Sequence, residues 1–263
     1  MKYRFLLPII CFLTAVFPVS SAFGQNHQGG KGWEEIFYQA NQDYREGNFQ
    51  EAVIGYQQLI RTGHDAPRIN YNLGNAWFRL NQLGRAILAY ERAHIAMPRD
   101  ADLNFNLAHA RDQVVDAIPP SKGFFSTAFF WLPTVSRSEL FWCFAILNLL
   151  LCSALLIRLF HRSEWLFYML LLLLCLWLVT GLSLGMKWAQ VHDDHRAVIL
   201  QKEVEVLAGP HKGDTLLFKL HEGAIVEQER SEGKWRLIRL PDKKRGWLPE
   251  EALELISTWS LVI

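Results

Sequence analysis

The sequence predicts a multidomain membrane protein: an all-α solenoid of helical repeats, a two-helix transmembrane hairpin and an all-β small barrel, in that order. Three observations carry the prediction. Small and aromatic residues recur at a spacing of 34 in the first half of the chain. Two long uncharged apolar runs, Leu140–Ile157 and Leu166–Met186, stand almost back to back. After Trp188 the chain turns to short alternating segments separated by turn residues. The totals hide this division: 263 residues, 51% hydrophobic and 20% charged, with a formal net charge of +1, describe an ordinary soluble protein. A near-neutral chain lacks the surplus of Lys and Arg that holds nucleic acid, so no nucleic-acid partner is expected. Cys11 lies in the leader, and Cys143, Cys152 and Cys175 lie in the apolar runs. The soluble parts have no cysteine, which excludes a disulfide framework or a thiolate metal site there.

Residues 1–24 read as a signal peptide. Lys2 and Arg4 give a basic start, Phe5–Val19 an apolar stretch, and Ser20, Ser21 and Ala22 the small residues of a cleavage site. Cleavage after Ala22 or Gly24 fits, and an uncleaved anchor helix is the alternative. Ile10 before Cys11 does not make a lipoprotein site.

Residues 31–118 hold the repeat. Ala40, Gly74 and Ala108 are spaced by 34, as are Asn41 and Asn75, Ala52 and Ala86, and Tyr56 and Tyr90. Small residues let paired helices approach closely, the tyrosines fill the groove beside Ala52 and Ala86, and Pro98 ends a second helix. The third copy stops at Pro119 and serves as a cap. Two repeats and a cap bury little surface, so a partner or the membrane is expected to steady the array. The pattern resembles the tetratricopeptide repeat. That resemblance implies a concave, protein-binding face on the first helices, made here by Phe37, Asn41, Arg45, Tyr71, Asn75, Arg79 and His109. Asn and Arg side chains there could hold the backbone or carboxylates of an extended chain; packing within the stack and a solvated surface are the plainer alternatives. Family members that clamp a C-terminal carboxylate combine asparagines with several basic residues. Asn41 and Asn72 match, but Phe37, Asp102 and Asn106 stand at the basic positions, so such a clamp is not expected.

Residues 119–137 form a linker. Within Ser121–Leu132, Phe124, Phe125, Ala128, Phe129, Trp131 and Leu132 share a helical face, which suits a short helix lying in a membrane surface. Transmembrane helices are expected at 138–160 and 165–188, with Trp165 and Trp188 at the lipid–water boundary. An exported leader followed by two spans leaves both soluble regions on the exported side. The tight loop holds Arg158, His161 and Arg162, which fits the positive-inside rule. The expected location is a bacterial inner membrane with both soluble domains periplasmic.

Residues 195–256 are expected to form the barrel. Val198–Leu207 is read as one alternating segment, followed by Leu216–Leu220, Ala224–Arg230 and Trp235–Leu240. The order Glu205-Val206-Leu207-Ala208-Gly209-Pro210, Leu217-Phe218, Glu222-Gly223, Trp235, Gly246-Trp247-Leu248 and Leu253 resembles the bacterial SH3 domain. Trp235 and Trp247 are then candidates for a groove that takes peptide or peptidoglycan, with barrel packing as the alternative.

No phosphate-binding loop, dinucleotide fingerprint or nucleophile elbow appears, and no cofactor is expected. His192-Asp193-Asp194-His195 carries potential metal ligands, but four consecutive residues lack the spacing of a hydrolase site. A solvated linker is the preferred reading, so neither a metal site nor an enzyme is expected. A metal-dependent hydrolase using His192 and His195 is the least favoured alternative.

The ordered combination of leader, tetratricopeptide repeats, hairpin and bacterial SH3 domain resembles the BatE family of Bacteroides aerotolerance operons. That resemblance implies partners of two kinds, membrane-anchored proteins with von Willebrand factor A domains and a MoxR-type ATPase system, besides the lipid bilayer. The expected function is a non-enzymatic inner-membrane scaffold. A peptidoglycan sensor acting through the SH3-like domain is the first alternative.

Overall fold

A computed structural model of the chain describes residues 32–116, 129–192 and 194–257. The signal peptide, most of the interfacial helix expected within Ser121–Leu132, and Asp193 lie outside the described residues. Contacts divide the chain into two units: Trp142–Gly181 belongs to one, and Gly32–Phe141 with Leu182–Ile263 to the other.

Five helices open the larger unit: α1 (Trp33–Glu46), α2 (Phe49–Arg61), α3 (Pro67–Arg79), α4 (Leu83–Ala96) and α5 (Ala101–Arg111). Each packs on the next, and α1 also meets α3, as α3 meets α5. Gly47 ends α1 in the left-handed region at φ 86°, Pro67 opens α3, and the Asp100 side chain caps α5 by accepting from Leu103 N at 3.0 Å. The close approaches fall at the small residues. A Cβ on Gly55 would stand 2.8 Å from that of Ala40, and one on Gly74 would press into the Tyr90 ring.

Seven strands follow the second apolar helix: β1 (Arg196–Ile199), β2 (Glu203–Leu207), β3 (Leu216–His221), β4 (Ile225–Glu232), β5 (Trp235–Arg239), β6 (Arg245–Pro249) and β7 (Leu253–Leu255). All the pairings are antiparallel, in the order β3-β2-β6-β5-β4-β1-β7. Every strand sends side chains into one core, Ile199, Val206, Leu220, Val226, Ile238 and Leu248 among them, so the sheet rolls around its inner face. The single segment expected at Val198–Leu207 is instead two strands, broken by the bend at Gln201 and Lys202.

The helices and the sheet share a second core. Strand alternation sends Ala197 and Ile199 into the sheet core while Val198 joins the helical one. Ile225 and Val226 divide in the same way, and Ile256 is buried among the helices. Gly84 opens the contact on α4: a Cβ there would strike the Ile199 carbonyl and lie 3.2 Å from Leu200 Cα and 3.3 Å from Gly223 N. Polar pairs close its rim. Arg92 donates to the carbonyls of Ile256 (3.2 Å) and Leu255 (2.9 Å) and to Glu254 (2.8 Å). The Asp116 carboxylate accepts from His221 N at 2.7 Å. Glu91, buried at 2% exposure, pairs with Arg111 and lies 3.6 Å from Arg196. The steadying surface for the short array is therefore this chain's own sheet.

The apolar helices are α6 (Arg137–Phe160) and α7 (Glu164–His192). Both are long and apolar enough to cross a membrane, and only 17% and 11% of their most apolar windows are buried, unlike the core helix of a soluble protein. Leu151, Ala154 and Leu170 form the contact between them, and the Phe144 ring lies tilted against Trp177 with centroids 5.2 Å apart. Ser153 donates back to the Leu149 carbonyl at 2.8 Å, which satisfies its hydroxyl within the helix. A capping box starts α6: Ser136 Oγ accepts from Glu139 N at 3.3 Å, and Glu139 Oε2 accepts from Ser136 N at 2.9 Å. In the larger unit the short turn Leu132–Thr134 is tied to the end of α7, where Lys187 Nζ donates to the Leu132 carbonyl at 2.9 Å and Trp131 Nε1 to Ser183 Oγ at 3.3 Å.

Candidate protein-binding face

The first helices α1, α3 and α5 carry the expected face, and a hydrogen-bond set repeats along it. Tyr56 donates its hydroxyl to Asn41 Oδ1 at 2.8 Å, and Asn72 Nδ2 donates to the same oxygen at 2.9 Å. Thirty-four residues on, Tyr90 donates to Asn75 Oδ1 at 2.8 Å and Asn106 Nδ2 to the same oxygen at 2.9 Å. Asn106 Nδ2 also reaches the Tyr71 hydroxyl at 3.2 Å. The rings repeat as well: Phe37 lies 6.3 Å from Tyr56, and Tyr71 lies 6.2 Å from Tyr90. Burial drives this arrangement. Tyr56 and Tyr90 are each 1% exposed, and a buried hydroxyl needs a partner. Burial pushes the Tyr56 phenol up to about 12, with nearby Tyr44 adding to it, and pushes Tyr90 higher still. Both stay protonated donors at physiological pH.

The seven candidate residues thus divide by role. The carbonyl oxygens of Asn41 and Asn75 are used twice each inside the stack, while their Nδ2 groups have no hydrogen-bond partner among the described residues. Phe37 and Tyr71 are half-buried against the tyrosines. Arg45 and Arg79 are exposed. Arg45 donates to Gln42 Oε1 at 2.7 Å, and the Arg79 guanidinium lies 5.1 Å over the Phe49 ring. Arg79 also opposes the burial that raises the Tyr44 phenol. His109 stacks parallel to Phe105 with centroids 6.3 Å apart and meets Phe78 at 5.5 Å. Phe105, 72% exposed, extends this end of the face; it was not among the expected residues although it follows Phe37 and Tyr71 at the same spacing of 34, which is the signal that could have found it.

Trp235 and Trp247 share the outer face of the sheet. Trp247 pairs with Leu237, two residues along β5 from Trp235, while the adjacent Ile238 and Leu248 turn into the core. Trp247 is 6% exposed, and the Arg230 guanidinium lies 5.3 Å over its ring. Trp235 is half-buried, and Leu216 and Leu217 on β3 are exposed. Of the His192–His195 run, Asp194 is engaged with Arg196 through Nε at 2.9 Å and Nη2 at 2.8 Å. The side chains of His192 and Asp193 lie outside the described residues, and no cluster of three or more potential metal ligands occurs among those described.

In comparisons with known proteins, no family model, no curated protein and no solved structure matches this chain.

Proposed function

We propose that the chain is a non-enzymatic scaffold that holds a partner protein at a bacterial inner membrane. In this reading the helical array is a tetratricopeptide-repeat domain, the rolled sheet is an SH3-like domain, and both face the periplasm. The observation that carries the proposal is the Tyr–Asn–Asn hydrogen-bond set that returns after 34 residues with its distances unchanged. A unit repeated at that level presents the same side chains at regular steps, which suits an extended chain whose own residues repeat regularly. Arg45 and Arg79 are one such row, and two guanidiniums suit a partner segment rich in carboxylates or backbone carbonyls. The resemblance to BatE supports the same reading and suggests von Willebrand factor A domain proteins and a MoxR-type ATPase system as partners.

Crosslinking in intact cells tests it, with a photoreactive residue replacing Arg79 in the full chain. A discrete adduct with another protein, lost in Arg45→Glu, is the expected result. An adduct that survives Arg45→Glu, or none at all, counts against the repeat face. Asn41 and Asn75 are poor controls, because both hold the stack together. A second reading rests on the strip of Trp235, Leu237 and Trp247: a peptidoglycan sensor. Retention of the full chain on purified sacculi, lost in Trp235→Ala, would favour the sensor over the scaffold.

A further inference from the structure

We infer that the turn between α6 and α7 is a binding site for the phosphodiester of a singly anionic phospholipid headgroup. The inference rests on the membrane placement of the two helices. A cleft of about 600 Å³ lies at this turn, lined by Arg158, Arg162, Ser163, Glu164, Phe167 and Tyr168. Arg158 is pre-positioned in it. Its guanidinium lies 5.2 Å over the Phe167 ring, and Nη1 donates to the Ser163 carbonyl at 3.4 Å. Those contacts use one face and one donor and leave the rest of the planar fork for a phosphate. Arg162 is exposed and forms no ion pair among the described residues, and neither does Glu164. Two guanidiniums and one carboxylate leave a single uncompensated positive charge. One net negative charge on the headgroup matches it; a zwitterionic headgroup leaves it unmatched.

The surroundings favour a lipid over a soluble phosphate. Phe160, Trp165 and Tyr168 are 88%, 79% and 65% exposed and flank the same turn. The amphipathic rings of Trp165 and Tyr168 suit the level where headgroups meet acyl chains, so the cleft would open onto the lipid that carries the phosphate.

The test uses the full chain in nanodiscs of phosphatidylcholine containing minor, equal amounts of phosphatidylglycerol and phosphatidylethanolamine. Native mass spectrometry then reads the lipids retained on release. Enrichment of phosphatidylglycerol is expected, reduced roughly 5- to 30-fold in R158Q/R162Q, from about one energy step per basic residue at an anionic surface. R158K/R162K should keep part of the enrichment by charge while losing the fork. Equal retention of the three lipids, or enrichment that survives R158Q/R162Q, would overturn the proposal. Displacement of the lipid by soluble glycerol phosphate at low concentration would overturn it in favour of a free phosphate ligand. Co-flotation with vesicles separates the two readings: a chain that fails to float overturns the membrane placement and this site together, whereas one that floats without enrichment overturns the site alone.

Discussion

Replacing Gly84 with valine should loosen the helical array and the sheet together. Gly84 sits on α4 where that helix meets backbone rather than side chains: the Ile199 carbonyl, Leu200 Cα and Gly223 N. A flexible side chain could move aside, but these atoms belong to β1 and to the turn before β4, and both are pinned by the sheet. Gly223 is itself held at φ 86°, and a Cβ there would meet Val114 and Ile87, so the second wall has no slack either. Overpacking at such a site costs about 3 kcal/mol, the upper part of the usual range. Valine recovers about 0.5 kcal/mol of helix propensity relative to glycine. The net loss is about 2.5 kcal/mol, or a fall in Tm of about 5–10 °C for a unit of this size.

Hydrogen exchange read by mass spectrometry distinguishes shared from separate loosening. Amides that exchange through cooperative opening should speed up roughly 60-fold. The increase should appear in α4 and in β1 and β4 alike, because one core serves both. Faster exchange confined to α3 and α4, with β1 and β4 unchanged, would refute the shared core.

Other consequences follow from the same contacts. Tyr56→Phe and Tyr90→Phe each remove one hydroxyl from an equivalent asparagine, so each should cost about 0.5–1.5 kcal/mol in denaturant unfolding; a cost at only one site would contradict the equivalence. Glu91→Gln keeps the shape of the buried side chain but removes the charge facing Arg111 and Arg196. Both guanidiniums are nearly half exposed, at 47% and 44%, so water compensates in part and the loss should be about 1–3 kcal/mol by the same assay. Burial lowers the His94 pKa below the ordinary value of 6.5, with Glu91 opposing and Arg111, Arg196 and Lys187 reinforcing. The folded state therefore favours neutral His94. Its contribution to stability is complete above 6.5 and is lost as pH falls through the folded value, so the unfolding midpoint should drop more steeply below 6.5 in the parent than in His94→Gln.

The sequence shows most plainly what repeats or what stays apolar. The 34-residue recurrence and the two uncharged runs are local patterns, and the structure places helices on both. The Ser136–Glu139 capping box was not among the expectations, although a serine three residues before a glutamate at the head of an apolar run is its local sign. The role of Asn41 and Asn75 was not legible. A stack-forming asparagine and a ligand-binding one have the same identity and the same spacing, and only the placement of Tyr56 and Tyr90 fifteen residues later decides which oxygen is occupied. The shared core was hidden more deeply. Gly84 and Glu222 meet across 138 residues, beyond any periodic signal. One local sign existed: Ala197-Val198-Ile199-Leu200 is an unbroken apolar run, as a strand buried on both faces requires. Read as part of one alternating segment, it lost that meaning.

The helical array cut away as residues 32–116 should not fold as it does in the full chain. From Ala86 to Glu91 every residue of α4 is buried, and a helix covered on all sides needs neighbours on all sides. The other helices supply only part of that cover, and Val198, Ile225 and Ile256 supply the rest. Without them Ile87 would lose full burial, and Leu83 and Val114 part of theirs. That removes about 3–6 kcal/mol at the usual yield of apolar burial, against a total stability of about 5–15 kcal/mol for a typical domain. Glu91 would keep Arg111 but lose Arg196. The fragment should show a broad, weakly cooperative helical melt by circular dichroism, and it should aggregate through the exposed face of α4. A sharp melt at the temperature of the parent would refute the reasoning and make the sheet an appendage. If the fragment fails as expected, a binding assay with the isolated repeats would report on an unfolded face, and loss of binding there would say nothing about the scaffold. A test of the proposed scaffold then needs the full chain, where α4 is covered by a sheet that follows it in sequence by about a hundred residues.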